Sequence, residues 1–172
     1  LYAASSSFEP YVEQKFAFFS WFLAFIQIGI LAAMMTQCAI APFKINPMWG
    51  PYPDSLDFYG AKNAFKIRQG EYWRFLTPAL LHSGVFHLVS NVLLQLKEGA
   101  AYEREWGFVR WIIIYLTSTI MGSSFSILIS PGKLGVGSSG ALCGLMGARI
   151  SECIIKKYSL VDGSKSKEYR RE

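Results

Sequence analysis

Three long stretches without a formal charge restrict the fold of this 172-residue chain more than any other feature. They cover residues 16–43, 75–96 and 111–132, and each is mostly apolar. Each exceeds the ~20 residues with which a helix crosses the hydrocarbon core of a bilayer. Because backbone groups in lipid must be hydrogen-bonded internally, such runs form helices. The sequence therefore predicts an all-α polytopic membrane protein.

A fourth apolar segment follows a glycine-rich stretch, GVGSSGALCGLMGA, at 135–148. We place a fourth span at 139–155, which at the helical rise is ~25 Å long and shorter than the ~30 Å core. Its helix is therefore expected to begin below the membrane surface, fed by a loop that dips in. Non-helical backbone at that depth must be buried in protein or line a wet cavity. Within the span, Arg149 and Glu152 are three residues apart and can pair on one helix face.

The predicted organisation is a polar lead-in, a membrane domain with four spans, and a basic segment. The lead-in is 1–15, the membrane domain is 16–156 with spans at about 16–41, 76–97, 108–129 and 139–155, and the basic segment is 157–172. The second span is expected to start as a helix at Thr77, an acceptable N-cap, with Pro78 at the first helical position.

The net charge of +5 is concentrated after the fourth span, in KKYSLVDGSKSKEYRRE. The positive-inside rule places that segment in the cytoplasm. With four spans the N-terminus is then also cytoplasmic, and the loops at 42–73 and 131–137 face a lumen or the exterior. The charge therefore indicates a lipid bilayer as the partner and no nucleic acid.

The three cysteines, Cys38, Cys143 and Cys153, all fall in predicted spans. Their spacing is not that of a zinc site or of a disulfide framework. The cysteine pattern thus predicts no metal site.

Polar side chains inside the second and fourth spans are functional candidates, because ionisable groups are costly in lipid. His87 and Asn91 are four residues apart and share a helix face, whereas His82 is expected to point elsewhere. Ser138 and Ser139 lie at the first turn of the fourth span. Since both spans run in the same direction, a hydroxyl, an imidazole and an amide can meet in one outward-facing cavity.

This combination suits acyl transfer. A nucleophilic serine benefits from a tight glycine-flanked turn and from the free N–H groups of a helix N-terminus. His87 and Asn91 could then donate hydrogen bonds to an oxyanion. The competing interpretation is structural, because Gly140-x-x-x-Gly144 is most often a close-packing face and a lone histidine commonly packs or relays protons.

These residues resemble the rhomboid intramembrane serine proteases, over about 46–152. Five motifs in the family's order carry the resemblance: NPMWGP at 46–51, YWR at 72–74, HSGVFHLVSN at 82–91, YEREWG at 102–107 and GSSG at 137–140. HSGVFHLVSN matches the family's H-x-x-x-x-H-x-x-x-N, and GSSG matches its G-x-S-G. NPMWGP resembles the corresponding segment in the eukaryotic secretory-pathway branch of the family. YWR resembles a tryptophan–arginine pair of the long first loop, which is structural in the family.

The resemblance implies a rhomboid-like helical bundle, with four of the expected six spans present. It implies an endopeptidase that cuts the transmembrane helices of single-span membrane proteins with a Ser–His dyad and no cofactor. Ser139 would be the nucleophile, and His87, Asn91 and the backbone N–H of Ser138 or Ser139 would hold the oxyanion. The protein would be a multi-pass membrane protein of the secretory pathway or plasma membrane, with its active site facing the lumen or exterior.

Two departures from the family pattern qualify this prediction. Cys143 stands where members usually carry an aromatic residue that packs on the catalytic histidine. The family's dyad histidine lies on a later span, and neither His82 nor His87 matches it, so this piece is predicted to be inactive alone. The alternatives are an inactive rhomboid-like protein that binds client transmembrane segments, and a channel or transporter that uses His87 and Asn91 along a polar path.

Overall fold

Helices form the framework of the protein, for which a computed structural model describes the backbone of residues 14–169 and the side chains of residues 14–158. The α-helices are α1 (Phe18–Gln37), α2 (Pro53–Phe58), α3 (Ala64–Arg68), α4 (Val85–Leu94), α5 (Ala100–Trp106), α6 (Phe108–Ile129) and α7 (Ser139–Tyr169). A π-helical turn, Gln95–Gly99, joins α4 to α5 as one continuous helix. The prediction of an all-α bundle is confirmed.

Two helices, α1 and α6, are long and apolar enough to cross a membrane, with mean hydropathies of 2.0 and 1.8 in their most apolar windows. Only 11% of that window is buried in α6, so most of its apolar surface faces outward. The exposed large side chains of α6 include Ile113, Leu116, Ile120, Met121, Phe125 and Leu128. Such a surface fits contact with lipid, as expected for a membrane-embedded protein.

The helix predicted to begin at Thr77 begins at Val85 instead. Thr77–Leu80 forms a short 3₁₀ turn with Pro78 near its start. The Thr77 hydroxyl does not cap this turn but donates to the carbonyl of Gly60 at 2.6 Å. The Thr-Pro pair therefore starts a single turn and not the long helix.

Two backbone carbonyls in the loop after α1 cap the start of α4. The N–H of Val85 donates to the carbonyl of Trp49 at 3.0 Å, and that of Phe86 donates to Met48 at 3.3 Å. Gly84 makes this approach possible, since a Cβ there would lie 2.2 Å from the Met48 oxygen. The free N–H groups of a helix start need acceptors, and here a tertiary contact supplies them.

The last helix, α7, begins at Ser139 as predicted but continues to Tyr169, beyond the predicted end of the fourth span. The expected pair of Arg149 and Glu152 is present at 2.8 Å, and Arg149 also pairs with Glu105 at 2.7 Å. The membrane boundaries of all four segments stay predictions. Most of the predicted lead-in, 1–13, lies outside the described residues.

The core lies where α6 packs against α7, around Trp111, Tyr115, Leu142 and Leu145. Gly144 brings the two helices close together, because a Cβ there would lie 1.8 Å from the Ser118 hydroxyl oxygen. This contact agrees with the expected packing role of the small residues of α7. The other two glycines of that face, 140 and 147, have open space where a Cβ would be.

At one end of the bundle, Glu103 of α5 binds the N-terminus of α1. Its carboxylate accepts hydrogen bonds from the N–H of Phe19 at 2.8 Å and from the N–H and hydroxyl of Ser20, each at 2.7 Å. Gln14 adds a fourth donor at 3.1 Å. Glu103 is fully buried, and a carboxylate at this place compensates the positive end of the helix dipole.

The opposite end is tied together by backbone contacts between loops. Lys62 and Gly135 exchange two backbone hydrogen bonds, at 2.8 and 3.1 Å, which join the 38–84 loop to the 130–138 loop. The buried Arg74 donates to the carbonyls of Asp57 and Ala61 at 2.9 and 2.6 Å. The loops that were predicted to share a side therefore do share an end, although which end faces the cytoplasm stays a prediction.

Candidate functional site

Two adjacent serines at the start of α7 lie in different environments. Ser138, the residue before the helix, is fully buried, and its carbonyl accepts the N–H of Leu142 at 3.0 Å. Ser139 is the first helical residue and is exposed. Of the two hydroxyls, that of Ser139 is therefore the one a second molecule could reach.

Asn91 connects α4 to this turn. Its Oδ1 accepts a hydrogen bond from the Ser138 hydroxyl at 3.5 Å, and its Nδ2 donates to the carbonyl of His87 at 2.8 Å. Asn91 is buried. An amide nitrogen has two donors, so one remains beyond the bond to His87. The structure therefore brings the predicted residues of the second and fourth spans together.

The His87 ring lies between Ser83 and Gly137. The hydroxyl of Ser83 is 3.0 Å from His87 Nδ1, and the backbone N–H of Ser83 approaches the same nitrogen at 3.5 Å. On the other edge of the ring, a Cβ on Gly137 would lie 2.8 Å from Nε2. Gly137 also has a φ of +111°, which disfavours any side chain. Two reasons therefore require glycine at position 137: its backbone conformation disfavours a side chain, and a side chain would collide with the His87 ring.

His82 is not where the sequence predicted it. Its ring lies 5.2 Å from the ring of His87, centroid to centroid, in an edge-to-face arrangement. The prediction that His82 points away was wrong because it assumed one helix through both histidines, whereas the helix begins only at Val85. His82 is 1% exposed, and among the described residues neither of its ring nitrogens has a hydrogen-bond partner.

A cavity of about 180 Å³ opens beside Ser139, between α6, α7 and the loops that contain Lys62 and Gly135. Its polar lining consists of Lys62, Thr119, Ser123, Ser126 and Ser139, and the remaining lining is mostly glycine and alanine. The space beside the candidate nucleophile thus combines one lysine and several hydroxyls with small apolar residues.

Within the described part of the chain, no hydrogen bond reaches the Ser139 hydroxyl from either histidine. A serine nucleophile needs a general base within about 2.6–3.2 Å, and no such base stands beside it here. Cys143, one turn after Ser139, is exposed.

Sequence reasoning missed Lys62, which is 2% exposed although it lies in a loop. Its ammonium donates to the Ser126 hydroxyl at 2.9 Å and approaches the Ser130 carbonyl at 3.5 Å. Burial lowers the pKa of Lys62. No local pattern around a single loop lysine indicates burial, so only the tertiary structure could reveal it.

Comparison with known proteins identifies the family. The family model of the Rhomboid domain matches residues 69–162, more than half of the chain and a range that includes the histidine, asparagine and serine motifs. The chain belongs to the rhomboid family. Among curated rhomboids, the mitochondrial RHOMBOID-like protein 6 of Arabidopsis thaliana is 39% identical over 125 residues, which cover 72% of this chain and 41% of that protein.

Other rhomboids give the same result. RHOMBOID-like protein 1 of Arabidopsis thaliana is 39% identical over 72% of this chain and 32% of its own length. Rhomboid protease GluP of Bacillus subtilis is 44% identical over 55% of this chain and 18% of its own length. The chain spans less than half the length of these relatives. All three relatives are named as rhomboids, and the Bacillus subtilis protein is named as a protease.

Proposed function

We propose that the chain is part of a rhomboid serine endopeptidase that cleaves the transmembrane helices of single-span membrane proteins, with a catalytic site facing the lumen or exterior of the secretory pathway or plasma membrane. One observation carries the proposal: an exposed Ser139 begins the first turn of α7, beside a cavity lined by hydroxyls and small residues, on the turn that contacts His87 and Asn91.

In this proposal the oxygen of the Ser139 hydroxyl attacks the carbonyl carbon of the scissile peptide bond. Its proton passes to a base, which later protonates the leaving amine. The first N–H groups of a helix have no intrahelical acceptor and carry partial positive charge. Because Ser139 begins α7, negative charge that develops beside it is stabilised by the helix N-terminus.

His87 serves in this proposal as a neutral donor to the oxyanion. The backbone N–H of Ser83 can only donate, so its approach favours a His87 whose Nδ1 accepts and whose Nε2 carries the proton. Nε2 lies at the edge of the ring that faces Gly137. Asn91, with one amide donor beyond its bond to His87, is the second donor.

The same tautomer makes His87 unsuitable as the base, because the nitrogen that faces the serine turn is already protonated. His82 packs against His87 and forms no bond to Ser139. Since His82 and His87 are the two histidines of this sequence, we assign the role of base to a histidine on a later span of the full-length protein, as the resemblance implies.

The test compares the two serines in the full-length protein, with a fluorophosphonate probe and a transmembrane reporter substrate. Ser139→Ala should abolish both labelling and cleavage, because it removes the nucleophile. Ser138→Ala is the matched control and should keep both, since it retains the backbone N–H. If Ser138→Ala abolished labelling and Ser139→Ala did not, the nucleophile would be Ser138 and the assignment to Ser139 would be wrong. Binding of substrate without labelling of either serine would favour the client-binding alternative.

The 172-residue chain by itself should not be labelled at Ser139, since no base lies beside that hydroxyl among the described residues. Strong labelling would contradict this and place a base within the chain. Labelling of the His82→Ala and His87→Ala variants would then show which histidine acts.

A further inference from the structure

Lys62 is a buried cation whose neighbours are neutral. Its side chain donates to the hydroxyl of Ser126 and approaches the carbonyl of Ser130. Among the described side chains it forms no ion pair. A buried charge is destabilising unless it is paired and hydrogen-bonded. Lys62 therefore has an unmet preference for an anion.

The nearby lysine Lys66 shows the contrast. It lies four residues along the chain, is partly exposed, and pairs with Asp57 at 2.7 Å. Lys66 thus has the carboxylate partner that Lys62 lacks, although Lys62 is the more buried of the two.

Lys62 lines the same cavity as Ser139. With a volume of about 180 Å³ the cavity is far larger than the about 10–15 Å³ that one water molecule requires. It can therefore admit a side chain of a molecule bound at Ser139.

Donors in this cavity remain available for an anion. An ammonium has three donors, and Lys62 uses one on Ser126 and directs another towards Ser130. Ser126 accepts from Lys62, which leaves its own hydroxyl proton free to donate. A carboxylate placed here would accept from both groups.

We propose that this cavity is a subsite for an acidic side chain of the substrate, close to the scissile bond, and that Lys62 and Ser126 determine its specificity. The inference rests on the proposed function, because it takes Ser139 to mark the position of the scissile bond. It adds the chemical class of a residue that the enzyme selects.

The test measures binding separately from cleavage. The full-length Ser139→Ala protein in detergent is titrated with fluorescent transmembrane peptides that carry Glu or Gln in turn at each position of the outward half. At one position Glu should bind about tenfold more tightly than Gln, as expected when a buried charge gains its counter-charge. With Ser139 intact, the Glu peptide should also be cleaved with about tenfold higher kcat/KM.

Lys62→Met retains the aliphatic stem that packs on Gly135 but removes the charge, and it should reduce the preference for Glu to less than about twofold. Lys66→Met is the matched control and should leave the preference unchanged. If Lys62→Met fails to fold, Ser126→Ala provides the test, because it keeps the backbone pairing of Lys62 with Gly135. That variant should lower the preference about threefold, which corresponds to one hydrogen bond.

The absence of any Glu preference, or a preference that persists in the variants, would overturn the subsite. A Glu preference that depends on Lys62 in a protein that cleaves nothing would support the subsite and overturn the proposed protease instead. The two failures are therefore distinguishable.

Discussion

The two ends of the continuous helix formed by α4 and α5 carry buried polar clusters of opposite character. At the α5 end, four donors converge on the carboxylate of Glu103 at 2.7–3.1 Å. At the α4 end, both ring nitrogens of His82 lack partners among the described residues, and the link between Asn91 and Ser138 is 3.5 Å long. Among the described residues, the carboxylate of Glu103 therefore has all its hydrogen bonds satisfied, whereas the imidazole of His82 has none.

The difference indicates a division between stability and function. A buried polar network stabilises a protein only when its members are satisfied, and an unpaired buried polar group is costly. The Glu103 cluster therefore fixes α5 against α1. The cluster at the α4 end is held in place by Gly137 and by the loop that caps α4. In the proposed function, its His87 and Asn91 donate to charge that develops during the reaction.

Glycosylation mapping should place the two ends on opposite sides of the membrane, with complete modification at one end and none at the other. An acceptor inserted near Asp54, at the end with the histidines, is expected to be modified, and one near Ser164 is not, because the Lys and Arg after Ile155 predict a cytoplasmic location for that segment. Mobility shifts after enzymatic deglycosylation provide the measurement. The reverse pattern would place the candidate site on the cytoplasmic side.

Asn91→Ala in the full-length protein should lower kcat by about 10²–10³, or ~3–4 kcal/mol of transition-state stabilisation, with little change in substrate affinity. In the proposed function, the Asn91 amide donates to negative charge that is present mainly in the transition state. Ser90→Ala is the control, because its exposed hydroxyl bonds only the helix carbonyl of His87. An equal loss in affinity would indicate that Asn91 binds substrate instead.

Glu103→Gln should leave the catalytic constants of the folded enzyme nearly unchanged but lower the free energy of unfolding by about 2–3 kcal/mol, because charge-assisted bonds to buried donors are lost. Glu98→Gln is the control. Glu98 pairs with the exposed Lys97 at 3.7 Å, and such pairs contribute about 0–1 kcal/mol. Unfolding of detergent-solubilised protein gives the measurement, and equal losses in both variants would contradict the role of Glu103.

The smallest expected effect is a loss of folding stability at low pH, caused by protonation of Asp57 in the loop cluster. Burial alone would raise the pKa of Asp57, but hydrogen bonds from Lys66 and Asn63 and the charges of Lys66 and Arg74 hold it below its usual 3.8. A lowered folded-state pKa means that this stabilisation is present above pH 3.8 and is lost as the pH falls through the folded value. We expect a loss below about 1 kcal/mol.

Thermal unfolding between pH 5 and 3 checks this, with Asp57→Asn as the reference variant. The acid-sensitive part of the unfolding curve should shrink in that variant. Identical pH dependence in both proteins would show that Asp57 does not contribute.

How far the sequence predicted the structure depended on whether contacts were local. The start of α7 at Ser139 and the shared face of His87 and Asn91 followed from a glycine-rich turn before an apolar run and from helical spacing. The start of α4 could not be predicted, because the carbonyls of Trp49 and Met48, which lie 36 and 38 positions before their donors Val85 and Phe86, cap it. The error in placing His82 follows directly from that one boundary.

The motif YEREWG does not reveal the partners of Glu103, because that carboxylate bonds residues that lie more than 80 positions away. The burial of Lys62 likewise depends on its contact with Gly135. In both cases the sequence shows a charged residue, but its hydrogen-bond partner can be identified only from the tertiary structure.

The Glu103 bond to Ser20 also sets an order of events during biosynthesis. The two residues are 83 positions apart, and ribosomes add about 5–20 residues per second. Helix α1 therefore emerges on the order of ten seconds before the carboxylate that binds its N-terminus has been made. During that interval the nascent α1 has to rely on water, lipid headgroups or the insertion machinery for its first hydrogen bonds, so its final position in the bundle is settled only after α5 has been synthesised.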